Sequence, residues 1–411
     1  MRMPVLRFKA DDGADFPDWK EKTLSEIAKR VTRKNKNNQT DIPLTISSLD
    51  GLVDQRDYFK KTVASKDMSG YFLLQNGEFA YNKSYSAGFD YGSIKRLDKY
   101  PCGALSTLYI CFGLKPNVGI DSDYLTHYFD SQKWNPEVAA ICAEGARNHG
   151  LLNVPTAAFF DIRIDVPSLP EQRKIADLLS TVDDVIAVQQ AEVDAWEQRK
   201  KGVMQKLFSQ EVRFKADDGS EFPDWEERTS VELCSRMIGG GTPSTSNTDN
   251  YNGDISWISS SDLDVDNITT VRRTRFITEG AVANSATKKV KPGSIAVVLR
   301  VGVGKVALLD RETCTSQDFI SLEDVTGDTK FIAYMLSARM QREAVRTQGT
   351  SIKGIPATRF KELTYRMPSS IIEQRKIADM LSTVDNVIVK AKAELAKWQE
   401  LKKGLLQQMF V

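Results

Sequence analysis

Histidine is nearly absent from these 411 residues: His127 and His149 are the only two. With so little imidazole, general acid–base work, Ser–His activation and His-ligated metal chemistry lose their usual carrier. Cysteine is scarce too. Cys102, Cys111, Cys142, Cys234 and Cys314 form an odd, scattered set with no CxxC, which argues against a zinc framework and for a reducing compartment. No run approaches the roughly 18 apolar residues of a membrane span, and the opening MRMPVLRFKADDG has no apolar signal core, so a cytoplasmic protein is expected. Neither sign of charge is in surplus, with 56 Lys+Arg against 55 Asp+Glu, so affinity for an acidic polymer has to come from local patches. Catalytic signatures are missing as well. Gly302-Val303-Gly304-Lys305-Val306 lacks the spacing and hydroxyl of a phosphate loop, and Asn135-Pro136-Glu137 does not complete the Asn-Pro-Pro-aromatic tetrapeptide of an amino-methyltransferase. GxGxxG after a strand, HExxH and GxSxG do not occur. The composition points to a binding protein of two to three domains.

What the chain does have is a repeat. RFKADDGADFPDW, Arg7 to Trp19, returns as RFKADDGSEFPDW, Arg213 to Trp225, with 11 of 13 positions identical. EQRKIADLLSTVDDVI, Glu171 to Ile186, returns as EQRKIADMLSTVDNVI, Glu373 to Ile388, with 14 of 16 identical. The sequence between the matched ends barely resembles itself, so two near-identical frames carry two different inserts. The layout is circular, which places the two chain ends at one junction.

Each EQRKIAD segment predicts a long helix: Ile175, Leu178, Leu179, Val182, Val185 and Ile186 recur at three- and four-residue steps, and the stripe continues to Phe208 and, in the second copy, from Ile377 to Phe410. Ser168-x-x-Glu171 and Ser370-x-x-Glu373 read as capping boxes at the two starts. From Pro170 to Phe208 the helix extends roughly 58 Å at 1.5 Å per residue, too long to stand alone, and the other copy is the obvious antiparallel partner. Gly202 and Gly404 suggest a close backbone approach, a kink or the helix end. Trp19 and Trp225 read as packing anchors. The inserts predict α+β globules, with strands in SIAVVL (Ser294 to Leu299), KVALL (Lys305 to Leu309) and GALSTLYICFGL (Gly103 to Leu114), and short helices near Tyr124 to Ser131 and Phe331 to Arg346.

Within the inserts, cations sit among small polar residues, the mixture that phosphate anchoring and base-edge reading require, although any one such cluster is more often a solvated face. Candidates in the first insert are Arg33, Lys34, Lys36, Asn82, Lys83, Tyr85, Lys95, Arg96 and Arg147. In the second they are Thr242, Ser244, Ser259, Ser260, Arg272, Arg273, Arg275, Lys288, Arg300, Lys305, Gln317, Thr350 and Lys353.

Taken together, FPDW, PSLPEQRKIADLLSTVDDVI, GGGTPSTSNTDNYNGDISWISSSDL, GTSIKGIP and IIEQRKIADMLSTVD make the chain resemble, over essentially its full length, the specificity subunit of type I restriction-modification enzymes. The resemblance implies an α+β fold in which two globular α/β target-recognition domains are joined by two long antiparallel coiled-coil-like helices, in a pseudo-twofold circular repeat. Its expected parts are recognition domains at 1–167 and 213–368, carrying frame segments 1–19 and 213–225, and spacer helices at 168–212 and 369–411. Each domain is expected to read half of an asymmetric bipartite DNA target. The helices are expected to set the gap and to dock two modification subunits, the candidate contacts being Glu171, Gln172, Arg173, Asp177, Glu373, Gln374, Arg375 and Asp379. No cofactor or metal is expected on this chain. S-adenosylmethionine belongs to the modification subunit, which methylates adenine, and ATP and Mg to two restriction subunits that sometimes complete the assembly. One departure is that the first insert opens with RVTRKNKNNQTDIPLTISSLDG, Arg30 to Gly51, in place of a GGTP segment. The competing class is a non-catalytic coiled-coil scaffold that binds proteins and no DNA.

Overall fold

The computed structural model describes residues 3–59, 64–142, 152–347 and 354–411. It divides into two compact units, Met1–Gln189 with Glu394–Val411 and Gln190–Ala393, so each unit takes in a portion of both long helices. No described helix is long and apolar enough to cross a membrane.

The strands of the first unit are β1 (Lys20–Thr23), β2 (Ala28–Arg30), β3 (Pro43–Ser47), β4 (Gly51–Asp54), β5 (Phe72–Gln75), β6 (Phe79–Asn82), β7 (Ser93–Arg96), β8 (Cys102–Leu105), β9 (Ile110–Leu114) and β10 (Arg163–Val166). In the second they are β11 (Trp225–Thr229), β12 (Cys234–Gly239), β13 (Ile255–Ile258), β14 (Phe276–Ile277), β15 (Lys289–Val290), β16 (Ile295–Val298), β17 (Val306–Leu308), β18 (Thr313–Thr315), β19 (Phe319–Val325) and β20 (Thr364–Pro368). The two sets pair identically. A ribbon β1-β10 matches β11-β20, a sheet β2-β9-β6-β7 matches β12-β19-β16-β17, and a sheet β4-β3-β8-β5 matches β14-β13-β18-β15. Even the parallel pairs correspond, β3 with β8 and β13 with β18. Two inserts that share little sequence thus have one topology.

The apolar run of β16 is explained by its place in the layers. Ile295 and Val297 face the core built with Phe331, Leu336, Ile377 and Leu381, whereas Ala296 and Val298 face a second core with Ile238, Ile258 and Phe319. Alternate residues of a strand point to opposite faces, so a strand buried on both sides reads as continuous apolar sequence. In β6, Phe79 and Tyr81 face one core and Ala80 the other. Loss of either face would strip a layer, which is why the inserts need the helices of the frame.

The long helices run Leu169–Phe208 and Ile371–Met409. Within the second unit Lys200 meets Asp385 and Glu197 meets Lys392, so partner numbers fall as residue numbers rise and the helices lie antiparallel there. In the first unit Met409 and Phe410 enter the core with Trp19 and Tyr124, and Leu6 N–H donates to the Gln408 carbonyl at 3.0 Å. Both ends of the described chain therefore meet in that unit. Gly202 and Gly404 mark neither a close approach nor the helix end: each lies within its helix, and a Cβ there would meet nothing within 4 Å.

The capping boxes expected at the helix starts are not formed. Glu171, fully buried, takes Arg7 Nε and Nη2 at 2.9 and 2.8 Å, and Glu373 takes Arg213 at 3.1 and 3.0 Å. Each arginine also donates to the carbonyls of the FPDW turn, Phe16 and Pro17 or Phe222 and Pro223. A carboxylate with no access to water gains more from a bidentate guanidinium than from a backbone amide, and the segment anchored by buried Trp19 or Trp225 delivers one. Lys174 and Lys376 repeat the pattern, reaching Asp11 and Asp217 at 2.5 Å. The repeated residues form a latch between the frame segment and its helix, made twice.

Candidate nucleic-acid interface

The interface is best built from the second unit. Because β13 and β18 run parallel, with Trp257 opposite Cys314 and Ile258 opposite Thr315, the loops that follow them emerge at the same end. Ser259 to Asp262 leaves one strand and Ser316 to Asp318 the other, and Ser316 N–H donates to the Ile258 carbonyl at 2.9 Å. The Gly-rich opening after β12 closes onto them. A Cβ on Gly240 would lie 2.0 Å from the Ser316 carbonyl oxygen, and one on Gly241 2.3 Å from Thr287 N, so only glycine fits. Trp257 Nε1 donates to the Gly241 carbonyl at 3.0 Å, and the Thr242 hydroxyl donates to Gln317 Oε1. The turn between β16 and β17 completes the edge: Lys305 Nζ donates to the Ser260 carbonyl at 2.8 Å. Gly240, Arg300, Val301 and Gln317 line an open groove of about 810 Å³.

Thr242, Ser259, Ser260, Arg300, Lys305 and Gln317 thus come together, with Ser244 just beyond, its carbonyl held by Asn250 at 3.0 Å. Arg275 braces this edge. Its guanidinium stacks 4.6 Å from the Trp257 ring centroid and donates to Ser259 Oγ and Asp262 Oδ2 at 2.5 and 2.6 Å. Arg272 is tied to Asp264 at 2.8 Å. Arg273 is separated from the rest, paired with Asp310 beyond the open end of the β16–β17 hairpin. Lys288 follows Thr287, is exposed, and has no ion pair among the described residues.

In the first unit the cations named from sequence are mostly committed to the fold. Lys95 meets Asp130 at 2.7 Å, and Arg96 meets Asp98 and Asp123 at 2.6 Å, both at the end of the β6–β7 hairpin away from its turn. Arg33 meets Glu78 at 2.7 Å, and Lys34 donates to the Gly70 carbonyl at 2.8 Å over the Phe72 ring. The Asn82 side chain accepts from Ser84 N–H at 3.0 Å. Lys36, Lys83 and Tyr85 remain uncommitted among the described residues. Arg147, Thr350 and Lys353 lie outside those residues. Sequence reasoning did not single out Ser47, Ser48 or Leu49, although Ile46-Ser47-Ser48 repeats Ile258-Ser259-Ser260 after an Asp-Ile pair, Asp41-Ile42 and Asp254-Ile255.

The docking candidates divide in the same way. Glu171, Gln172, Glu373 and Gln374 are buried, so they present no surface. Gln172 donates to the Pro167 and Gly119 carbonyls and accepts from Asp121 N–H, and Gln374 donates to Pro368 and accepts from Asp328 N–H. Four of the eight residues are therefore structural. Arg173, Asp177, Arg375 and Asp379 are exposed on the helices.

Fold and loops together define an internally duplicated protein, with one layered scaffold made twice and a different loop edge on each copy. The family model for the type I restriction modification DNA specificity domain matches residues 17–195 and 223–397, and the chain belongs to that family. It is similar to the MjaIX specificity subunit of Methanocaldococcus jannaschii, 28% identical over 209 residues, which are 50% of this chain and 48% of that protein. The putative MjaX specificity subunit of the same organism is 22% identical over 415 residues, 97% of this chain and 94% of that one. The solved S subunit of a type I restriction-modification system from M. genitalium shares the fold, with a TM-score of 0.57 at 14% identity over 100% of this chain and 99% of that one.

Proposed function

We propose that this chain is the DNA-recognition subunit of a type I restriction-modification complex, in which the domains at 1–167 and 213–368 each read one half of a bipartite target. The observation that carries the reading is the repeated topology with divergent loops: the same parallel strand pair delivers a polar loop cluster in both units, yet the residues in those loops differ. One scaffold presenting two loop sets suits two different half-sites. The second cluster offers hydroxyls, an amide and Arg300, which is exposed and has no ion pair among the described residues; such groups meet base edges and phosphates. Helices 168–212 and 369–411 set the unread gap and dock two modification subunits through exposed residues such as Arg173 and Arg375. Methyl transfer, with its S-adenosylmethionine, belongs to those partners, and ATP-driven cleavage with Mg to restriction subunits where present. This chain contributes recognition.

Mapping adenine methylation in cells that express the chain with its modification subunit, and in cells that lack it, tests the reading. A split motif that disappears with the chain is expected; unchanged methylation would favour a scaffold that binds no DNA. Reversing the exposed helix charges, Arg173→Glu with Arg375→Glu, is expected to abolish co-purification with the modification subunit while the isolated chain stays folded.

A further inference from the structure

The first recognition domain has no GGTP opening, and Arg33, Lys95 and Arg96 are locked in ion pairs, so its reading edge has to be found another way. Its topology provides one. β3 and β8 run parallel, with Leu44 opposite Leu105, so the loops 48–50 and 106–109 emerge at one end as their counterparts do after β13 and β18. The loop after β3 is closed by Ser47 Oγ donating to Asp50 Oδ2 at 2.7 Å, and the loop after β13 by Ser259 Oγ donating to Asp262 Oδ2 at 3.1 Å. Ser260 receives Lys305 from the β16–β17 turn, and Ser48, its sequence equivalent, lies 2.9 Å from Ser86 and 3.1 Å from Ser93 in the β6–β7 hairpin.

A third correspondence fixes the hairpin turns. Ile355 N–H donates to the carbonyl of Leu299, the first residue after β16, at 2.7 Å; Leu152 N–H donates to that of Lys83, the first residue after β6, at 2.9 Å. The turn 83–92 therefore holds the place of the turn 299–305. Each turn places a cation with no side-chain partner among the described residues ahead of an exposed large side chain, Lys83 before Tyr85 and Arg300 before Val301. Leu49 at 85% exposure and Tyr85 at 54% stand exposed on neighbouring loops. An exposed apolar or aromatic side chain on such a loop is suited to a thymine methyl or a base edge in a groove.

Building on the recognition function argued above, we propose that the first domain reads its half-site with the loop 48–50 and the turn 83–92, with Leu49 and Tyr85 as specificity-determining side chains. Lys95 and Arg96 take no part.

The test maps methylation motifs of the full chain, co-expressed with its modification subunit, for Leu49→Ala and Tyr85→Ala, and separately for Arg300→Ala and Val301→Ala. Unfolding curves that match wild type confirm that each variant is folded. The first pair is expected to relax discrimination roughly tenfold at one or two base pairs of one half-site, and the second pair to act only on the other half. Retained discrimination in both halves with Leu49→Ala and Tyr85→Ala, equal relaxation of both halves, or both pairs acting on the same half would overturn the assignment. A wild-type chain that directs no split motif would instead overturn the recognition function itself, and this assignment with it.

Discussion

The two recognition domains solve the same loop problem with different chemistry. In the second, the segment after β12 passes so close to Thr315 and Ser316 at Gly240, and to Ala286 and Thr287 at Gly241, that neither glycine leaves room for a Cβ. In the first, the corresponding segment carries Asn35, fully buried, whose side chain donates to the Thr40 carbonyl at 3.0 Å and accepts from Thr40 N–H at 3.1 Å, with Asn37 and Asn38 at positive φ. Asparagine tolerates that conformation and closes its own turn. Their cores differ too: stacked Phe79–Phe112 and Tyr81–Phe159 pairs fill the first, and mainly aliphatic residues and methionine the second. What stays constant is the latch to the long helix. The shared part is the part that positions the loop edge; the variable part is the edge.

The latches offer the largest test of that division, because they are alike but not equal. Among the described residues Glu171 has only Arg7 as a side-chain partner, and Trp19 Nε1 is buried without one, whereas Glu373 also accepts from Trp225 Nε1 at 3.1 Å. Removing one partner of a buried pair strands the other charge, so Arg7→Ala is expected to cost about 4 kcal/mol. Arg213→Ala should cost visibly less, since Trp225 still meets the carboxylate. Chemical denaturation of both variants checks the order, and equal losses would make the latches equivalent after all.

A second pair sharpens the comparison further along the helices. Lys200 and Asp385, both about 5% exposed, form a 2.5 Å pair to which Tyr334 adds a hydrogen bond of 2.6 Å. Lys402 and Asp183 repeat it at 2.7 Å but are 20% and 37% exposed. Lys200→Met is expected to destabilise by about 3 kcal/mol, and Lys402→Met by under about 1 kcal/mol because water screens the site. Urea midpoints at constant slope separate the two.

The duplication, the long helices and the strand-rich inserts were legible in the sequence because repeats and periodicity are local. The shared topology was not. Parallel pairing of β3 with β8 and of β13 with β18 joins residues about 60 apart, and nothing in either strand names its partner. Charge was misleading for a related reason. Lys95 and Arg96 look like a phosphate grip until the helix Ser122–Asp130 brings Asp123 and Asp130 against them. The Ser-x-x-Glu spacing at each helix start matched a capping box, yet a distant arginine outcompeted the local amide. The recurring Ile-Ser-Ser triplet was the one local sign that the loop after β3 matches the loop after β13, and it is too short to stand out beside a 16-residue repeat.

The smallest effect lies where His127 and Tyr334 hold equivalent places, facing Ser180 and Ser382 and, one turn on, Asp183 and Asp385. Burial, and then Lys402, lowers the pKa of His127, against the opposing pull of Asp183, Asp130 and Asp123, while burial and Asp385 raise that of Tyr334. A histidine that is harder to protonate in the folded chain binds fewer protons there than in the unfolded chain, so stability rises with pH across the interval between the two pKa values. The contribution is complete above the unfolded value of about 6.5 and is lost as the pH falls through the folded one. Tyrosine does not titrate in that range, so only the first domain carries this acid sensitivity. His127→Gln is therefore expected to flatten the pH dependence of thermal unfolding between about pH 7.5 and 5 relative to wild type, with Tyr334→Phe leaving its slope unchanged. A wild-type slope in the His127 variant would place the acid sensitivity on carboxylates common to both domains and remove this difference between them.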